Sequence, residues 1–230
     1  MQILTQKPAK NRKANNMPCT TAPLLARGMS VEECKVVCTS PLIPLREKLF
    51  FRILYETGLR PMEVQHLRIE NWNRTAGEVV ALKVKQKWDR WRQIYIETPP
   101  RHVVITGTTN EMLRAVVSNR KKGYVFEGKA GKPLTMRYFE MELDNYARLL
   151  TIQKTRKITV DGKGIALITP MALRKAGERH HDAEGGDPSL SAQSCGHTMN
   201  TKVRHYQGEV DWDSVHKSMR EHHPAFKEKW

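Results

Sequence analysis

The segment from Leu45 to Glu56 constrains the fold most. Leu45, Leu49, Phe50, Ile53 and Leu54 recur at helical spacing, so a helix is predicted with an apolar face that other parts of the chain must cover. Thr57-Gly58 ends it, because glycine readily adopts the left-handed conformation that stops a helix. Pro61 suits the first turn of a new helix, whose apolar face is assigned to Met62, Val64 and Leu67. Upstream, Pro41 and Pro44 break the chain. Ser30-Val-Glu-Glu33 reads as a capping box, with hydroxyl and carboxylate each satisfying the other residue's amide, and opens a short helix to about Cys38.

Further along, residues 78–97 read as a β-hairpin. Val79, Val80, Leu82 and Val84 form its first strand and Ile94, Tyr95 and Ile96 its second. Residues 102–106 could add one short strand. A helix is predicted from about Asn110 to Asn119, then a basic loop at Arg120-Lys121-Lys122 and a short apolar run, Tyr124 to Phe126. Thr135 is placed as the cap of a helix reaching about Leu150, with Phe139, Leu143, Tyr146 and Leu150 on one face. The basic, turn-rich 154–164 is predicted to be a surface loop. Thr169-Pro170 starts another helix, a polar helix–turn–helix leads to Gly196-His197, and 211–223 can form a last helix before Pro224. The expected class is mainly α with a small antiparallel β-sheet (α+β). Residues 1–28 are polar and basic and interrupted by Pro8, Pro18 and Pro23, which suits a flexible arm or linker. Residues 29–210 form one domain, and 211–230 a C-terminal helix and tail.

Charge narrows the partners. Thirty-nine Lys and Arg stand against 24 Asp and Glu, a formal net charge of +15, the electrostatic footprint of a polyanion binder. The turn of the predicted hairpin concentrates Lys83, Lys85, Lys87, Arg90 and Arg92. Trp88 and Trp91 are interleaved there and could stack on sugar or base or pack within the hairpin. No stretch approaches 18 consecutive apolar residues, so no membrane-spanning helix is expected. The N-terminus lacks the apolar run of a signal peptide. Cys19, Cys34, Cys38 and Cys195 show no CxxC spacing and are expected to be reduced thiols in a cytoplasmic, DNA-associated protein. His180-His181 and His222-His223 have no partner ligands at metal spacing, so they are expected to be solvated or to contact phosphates.

Four motifs then follow in order. Thr57-Gly58-Leu59-Arg60 carries an acidic residue, Glu63, three after the arginine. Thr169-Pro170 leads to Leu173-Arg174. Gly185-Gly186-Asp187 precedes Gly196-His197, and Tyr206 follows nine positions after that histidine. This order and spacing resembles the catalytic box of the tyrosine recombinases, the phage integrase family, over roughly 29–220. The resemblance implies a DNA breaking and rejoining enzyme acting through a covalent 3′-phosphotyrosine. Arg60 and Arg174 would clamp the non-bridging phosphate oxygens, since guanidiniums are permanently charged and fork-shaped. His197 would donate to the same phosphate or assist proton transfer, and Tyr206 would be the nucleophile. A hairpin lysine would protonate the leaving 5′ oxygen: Lys87 by its place before Arg92 and the strand from Ile94, with Lys85 next. Lys83, Lys85, Arg90, Arg92 and Lys175 are the expected DNA contacts. Double-stranded DNA and other protomers, as dimer or tetramer, are the implied partners. Because the phosphodiester energy is conserved, neither metal nor cofactor is expected.

The chain also departs from the family's pattern. Met171 stands where the family usually has His, and Lys175 where His is frequent. The helix around 179–184 is unusually polar, and Ser194 and Cys195 replace bulky aliphatics. Only 28 residues precede the catalytic region, as in recombinases without an N-terminal clamp domain or in a fragment of a longer protein, so weak, salt-sensitive DNA binding is expected. A type IB topoisomerase-like activity and a catalytically decayed DNA-binding module are the competing readings. The segment 211–230 could dock on a neighbouring protomer.

Overall fold

A computed structural model describes residues 28–82, 87–89, 94–96, 100–158, 164–196 and 212–227. The described helices are α1 (Val31–Thr39), α2 (Leu45–Thr57), α3 (Pro61–Gln65), α4 (Gly107–Val117), α5 (Met136–Leu149), α6 (Pro170–Ala183), α7 (Pro188–Cys195), α8 (Trp212–His222) and α9 (Pro224–Lys227). The described strands are β1 (Trp72–Asn73), β2 (Glu78–Ala81), β3 (Lys87–Asp89), β4 (Ile94–Ile96), β5 (Arg101–Val104), β6 (Thr155–Ile158) and β7 (Gly164–Ala166). The class is therefore mainly helical with a small antiparallel sheet, as expected.

Helix α2 is the axis of the fold. Leu49, Phe50, Phe51, Ile53, Leu54 and Tyr55 are all fully buried, so the helix is covered on every side, by α1, α4 and α6 above all. Phe50 stacks on Phe139 at 3.7 Å between centroids and meets Phe126 edge-on at 5.2 Å, which ties α5 to α2 through aromatic packing. Helix α6 approaches more closely still. Gly177 lies on the Tyr55 carbonyl, and any Cβ at that position would collide with it. The capping box of α1 is present, with Glu33 N donating to Ser30 Oγ at 3.1 Å and Ser30 N to Glu33 Oε2 at 3.0 Å. Gly58 closes α2 at φ 62°.

The strands depart from the expected hairpin. β2 pairs with β5, not with the strand around Ile94, in the registers Glu78↔Val104 and Ala81↔Arg101. The three-stranded sheet has the order β1-β2-β5. β3 and β4 pair only with each other, Lys87 opposite Ile96, and so form a separate ribbon within the β2–β5 connection. Alternating apolar residues in 94–96 match a strand equally well wherever it pairs, so periodicity could not choose the partner. Residues 154–164, expected to be a surface loop, contain β6 and the first residue of its antiparallel partner β7. Met62, assigned to a buried face, is exposed, while Val64 and Leu67 are buried, because α3 is a single short turn too brief to present a long stripe.

The C-terminal segment folds back on its own chain. Val215 and Met219 of α8 pack with Val104, and Ala225 of α9 joins the main core. No helix among the described residues is long and apolar enough to cross a membrane.

Candidate active site

The site forms where the end of α2, the start of β5, α6 and the C-terminus of α7 meet. The left-handed turn at Gly58 throws the chain into α3, with Arg60 at its N-cap in extended geometry. Glu63 one turn on accepts from the Arg60 backbone N–H at 2.8 Å and from its Nη1 at 3.0 Å. The Arg60 guanidinium is thus held from both ends of one residue while 36% of its side chain remains exposed.

Arg174 arrives from α6. Thr169 caps that helix, accepting from Ala172 N–H at 3.1 Å, and Pro170 fills its first turn. One turn later Arg174 is only 3% exposed. Burial pulls its pKa down, with Arg60 adding to the effect, against the opposing influence of Cys195 and Glu178.

Both arginines reach the last turn of α7. Arg174 Nη2 donates to the Cys195 carbonyl at 2.6 Å and Arg60 Nη2 to the Gly196 carbonyl at 3.0 Å. A third guanidinium joins them. Arg101 Nη1 donates to the Ser194 carbonyl at 2.7 Å, and its Nη2 pairs with Glu63 Oε2. Three consecutive carbonyls at the negative end of α7 therefore hold three guanidiniums, directly before His197. Burial, followed by the neighbouring Arg174 and Arg60, draws the Arg101 pKa down to about 9. Cys195 is not a nucleophile candidate, since burial above all, helped by Glu178, pushes its thiol up to about 12.

Small residues at the end of α7 make this approach possible. The Ser194 hydroxyl donates to the Thr57 carbonyl at 3.1 Å. The Cys195 sulfur fills the space over Gly58, where a Cβ would overlap it. A bulky aliphatic at either position would push α7 off the Arg60 turn, so these departures from the family pattern have a packing reason.

Of the anticipated site residues, Arg60 and Arg174 come together. Lys87 opens β3. Lys175 lies exposed on α6 beside Arg174, and Met171 in the first turn of that helix is 43% exposed. Lys83, Lys85, Arg90, Arg92, His197 and Tyr206 lie outside the described residues. Arg101 was missed. Its signal was a charged residue two before Val103 in an apolar strand, hence on the face that the strand buries. Three of the four paired histidines need correction, His222 being partly exposed. His181 is fully buried, its Nε2 3.1 Å from Ser218 Oγ, and His223 is fully buried with Nε2 2.9 Å from the Tyr55 carbonyl. His180 sits between the Tyr55 hydroxyl and the Met29 carbonyl. They are packed groups, because α8 and α9 close over α6, and this also accounts for the polarity of that helix.

The fold and the clustered arginines agree with the family resemblance of the four motifs. The chain belongs to the phage integrase family, whose model matches residues 31–211. No curated protein matches it. Among solved structures, XerA recombinase is similar at 17% identity and a TM-score of 0.59, over 84% of this chain and 62% of that one. An integrase from mycobacterium phage Brujita gives 10% identity and 0.60, over 83% and 56%. The Tn1549 transposon integrase, solved in complex with transposon right-end DNA, gives 15% and 0.57, over 89% and 68%. Identities this low establish the fold alone. The chain spans about three fifths of XerA's length.

Proposed function

We propose that this chain is a site-specific DNA recombinase of the integrase type. One observation carries the reading: Arg60 and Arg174, far apart in sequence, meet on adjacent carbonyls immediately before His197. An incoming phosphodiester would replace those carbonyls as acceptor, exchanging partial charges for a full negative charge. The guanidiniums would then stabilise the charge that builds on the non-bridging oxygens in the transition state. Tyr206 Oη would attack phosphorus as the bond to the 5′ oxygen breaks, leaving a 3′-phosphotyrosine and a 5′-hydroxyl. Lys87 would protonate that leaving oxygen and His197 would assist at the phosphate. In rejoining, a 5′-hydroxyl attacks the phosphotyrosine and the tyrosine departs.

Because β2 pairs with β5, the whole stretch 82–100 is their connection. Lys87 and Lys85 both lie in it. We further propose that the chain works on double-stranded DNA in the cytoplasm, assembled as a dimer or tetramer on paired sites. Exchange of 211–230 between protomers would transfer the Val215 and Met219 face from its own body to a neighbour's. Unchanged assembly after deletion of 211–230 would count against that exchange.

The test is covalent capture on a nicked suicide duplex in the presence of EDTA. A denaturant-resistant adduct is expected from the wild type, and none from Tyr206→Phe. Wild type that binds the duplex without forming an adduct overturns the enzyme reading in favour of a DNA-binding module. Relaxation of supercoiled DNA with no site preference would point to a topoisomerase instead. Lys87→Ala and Lys85→Ala compared in the same assay assign the acid.

A further inference from the structure

We infer that Arg101 is a positioning residue of this active site, the latch that fixes the Arg60–Glu63 pair to the end of α7. The inference rests on the recombinase reading and adds to it a residue that none of the four motifs contains.

Three observations carry it. First, Arg101 links the two halves of the site by itself: one arm donates to the Ser194 carbonyl on α7, and the other pairs with Glu63 on α3. Glu63 in turn orients Arg60 through both its side chain and its backbone. Second, Arg101 is 6% exposed and lies under Gly196, where a Cβ would come within 2.9 Å of its Nη1. Gly196, at φ 62°, is the helix stop, a conformation glycine adopts without cost, and it leaves room for this guanidinium. Buried beneath the backbone, Arg101 is shielded from a phosphate, so it acts through Glu63 and α7 rather than on substrate. Third, its position is fixed by the sheet. Arg101 pairs with Ala81 at the end of the β2–β5 ladder, so the latch also ties that strand pair to the arginines. A third cation beside Arg60 and Arg174 is costly to bury, as the lowering of its pKa by burial and by those two neighbours shows. It is retained where it sets the register of three elements.

The experiment uses the full chain with Arg101→Met and Arg101→Lys, alone and combined with Glu63→Gln. Single-turnover cleavage of the suicide duplex and duplex affinity are measured separately. Arg101→Met is expected to slow cleavage by about 100-fold, the scale of a small misplacement of reacting groups, with affinity within about 2-fold. Arg101→Lys, which keeps the charge and one donor, is expected to recover about 10-fold of that loss. Combining Glu63→Gln with Arg101→Met should slow cleavage no further than the worse single change, since both break one linkage. Multiplicative losses, or affinity falling in step with cleavage, overturn the inference. Hydrogen exchange supplies a readout independent of chemistry. Arg101→Met should accelerate exchange at the 191–196 amides and leave those of α2 unchanged. If the wild type forms no adduct, the recombinase reading falls while this measurement still decides on the latch, and unchanged exchange at 191–196 refutes it.

Discussion

Helix α2 leads to two clusters of buried guanidinium groups, and they are built differently. Midway along the helix, Arg52 is 2% exposed and its Nε lies 2.6 Å from Glu56 Oε1. The Thr106 and Thr109 hydroxyls donate to the same carboxylate oxygen at 3.0 and 2.7 Å. One cation meets one anion, and the remaining lone pairs are used. Beyond the helix's end, Arg60 and Arg101 share Glu63, and Glu178 acts on Arg174. Their other acceptors are backbone carbonyls, which offer only partial charge. The first cluster is closed and belongs to the scaffold. Among the described residues the second sets three guanidiniums against two carboxylates in a place where charge is poorly screened, a setting suited to an incoming anion. One cation set on one carboxylate marks architecture here, and three crowded guanidiniums mark the candidate site.

Removing one cation from each cluster tests that distinction most sharply. Arg52→Met strands the Glu56 carboxylate and is expected to cost about 3–5 kcal/mol of unfolding free energy. Arg174→Met relieves the crowding of Arg60 and Arg101 by a third guanidinium and is expected to leave stability within about 1 kcal/mol of wild type. The same change should slow single-turnover cleavage by roughly 100- to 1,000-fold, the usual loss when one transition-state donor is removed. Urea titration and suicide-duplex cleavage on both variants give the four numbers. Equal stability losses would break the comparison. Gly177→Ala sharpens it from the side of packing. A methyl there strikes the Tyr55 carbonyl and should push α6, which carries Arg174, away from α2 at a cost of about 1–3 kcal/mol. The Arg52 cluster lies toward α4, so cleavage should fall while the protection of α4 amides from exchange stays unchanged.

How much of this was legible in the sequence follows the same division. Local signals carried well. The Ser30–Glu33 box, the stop at Gly58, the cap at Thr135 and the Thr169-Pro170 start each depend on a few neighbouring residues, and each is present. Arg60 and Arg174, which the structure brings together, were legible because fixed offsets within helices and turns place them. Features set by long-range pairing were not legible. The partner of β2 lies some twenty residues on, and two apolar runs, 94–96 and 101–104, satisfied the alternation equally. Arg101 went unnoticed for that reason, since its role depends on β5 being the strand beside β2. The histidines were misjudged because nothing in the spacing of 180–181 and 222–223 reveals that α8 and α9 return to cover α6.

Buried His223 offers a third way of placing a nitrogen base in the core, and it yields the smallest predicted effect. Nε2–H donates to the Tyr55 carbonyl at 2.9 Å and Nδ1 accepts from Ala225 N–H at 3.2 Å. Both nitrogens are satisfied only in the neutral ring. Burial above all, with His181 and His180 nearby, pulls its pKa down to about 3, from an ordinary value of 6.5. With no anion beside it, the group gives up its proton, which an arginine in the same position would resist. Between the two pKa values the unfolded chain binds a proton that the folded chain refuses. Stability contributed by the neutral ring is therefore full above about pH 6.5 and declines as pH falls toward 3, by at most about 1.4 kcal/mol per pH unit. His223→Gln retains a donor for Tyr55 and does not titrate. Urea midpoints at pH 7.0 and 5.5 should show the wild type losing about 1 kcal/mol more than this variant over that interval. Equal losses would mean that His223 is protonated in the folded chain and that its site tolerates a buried cation.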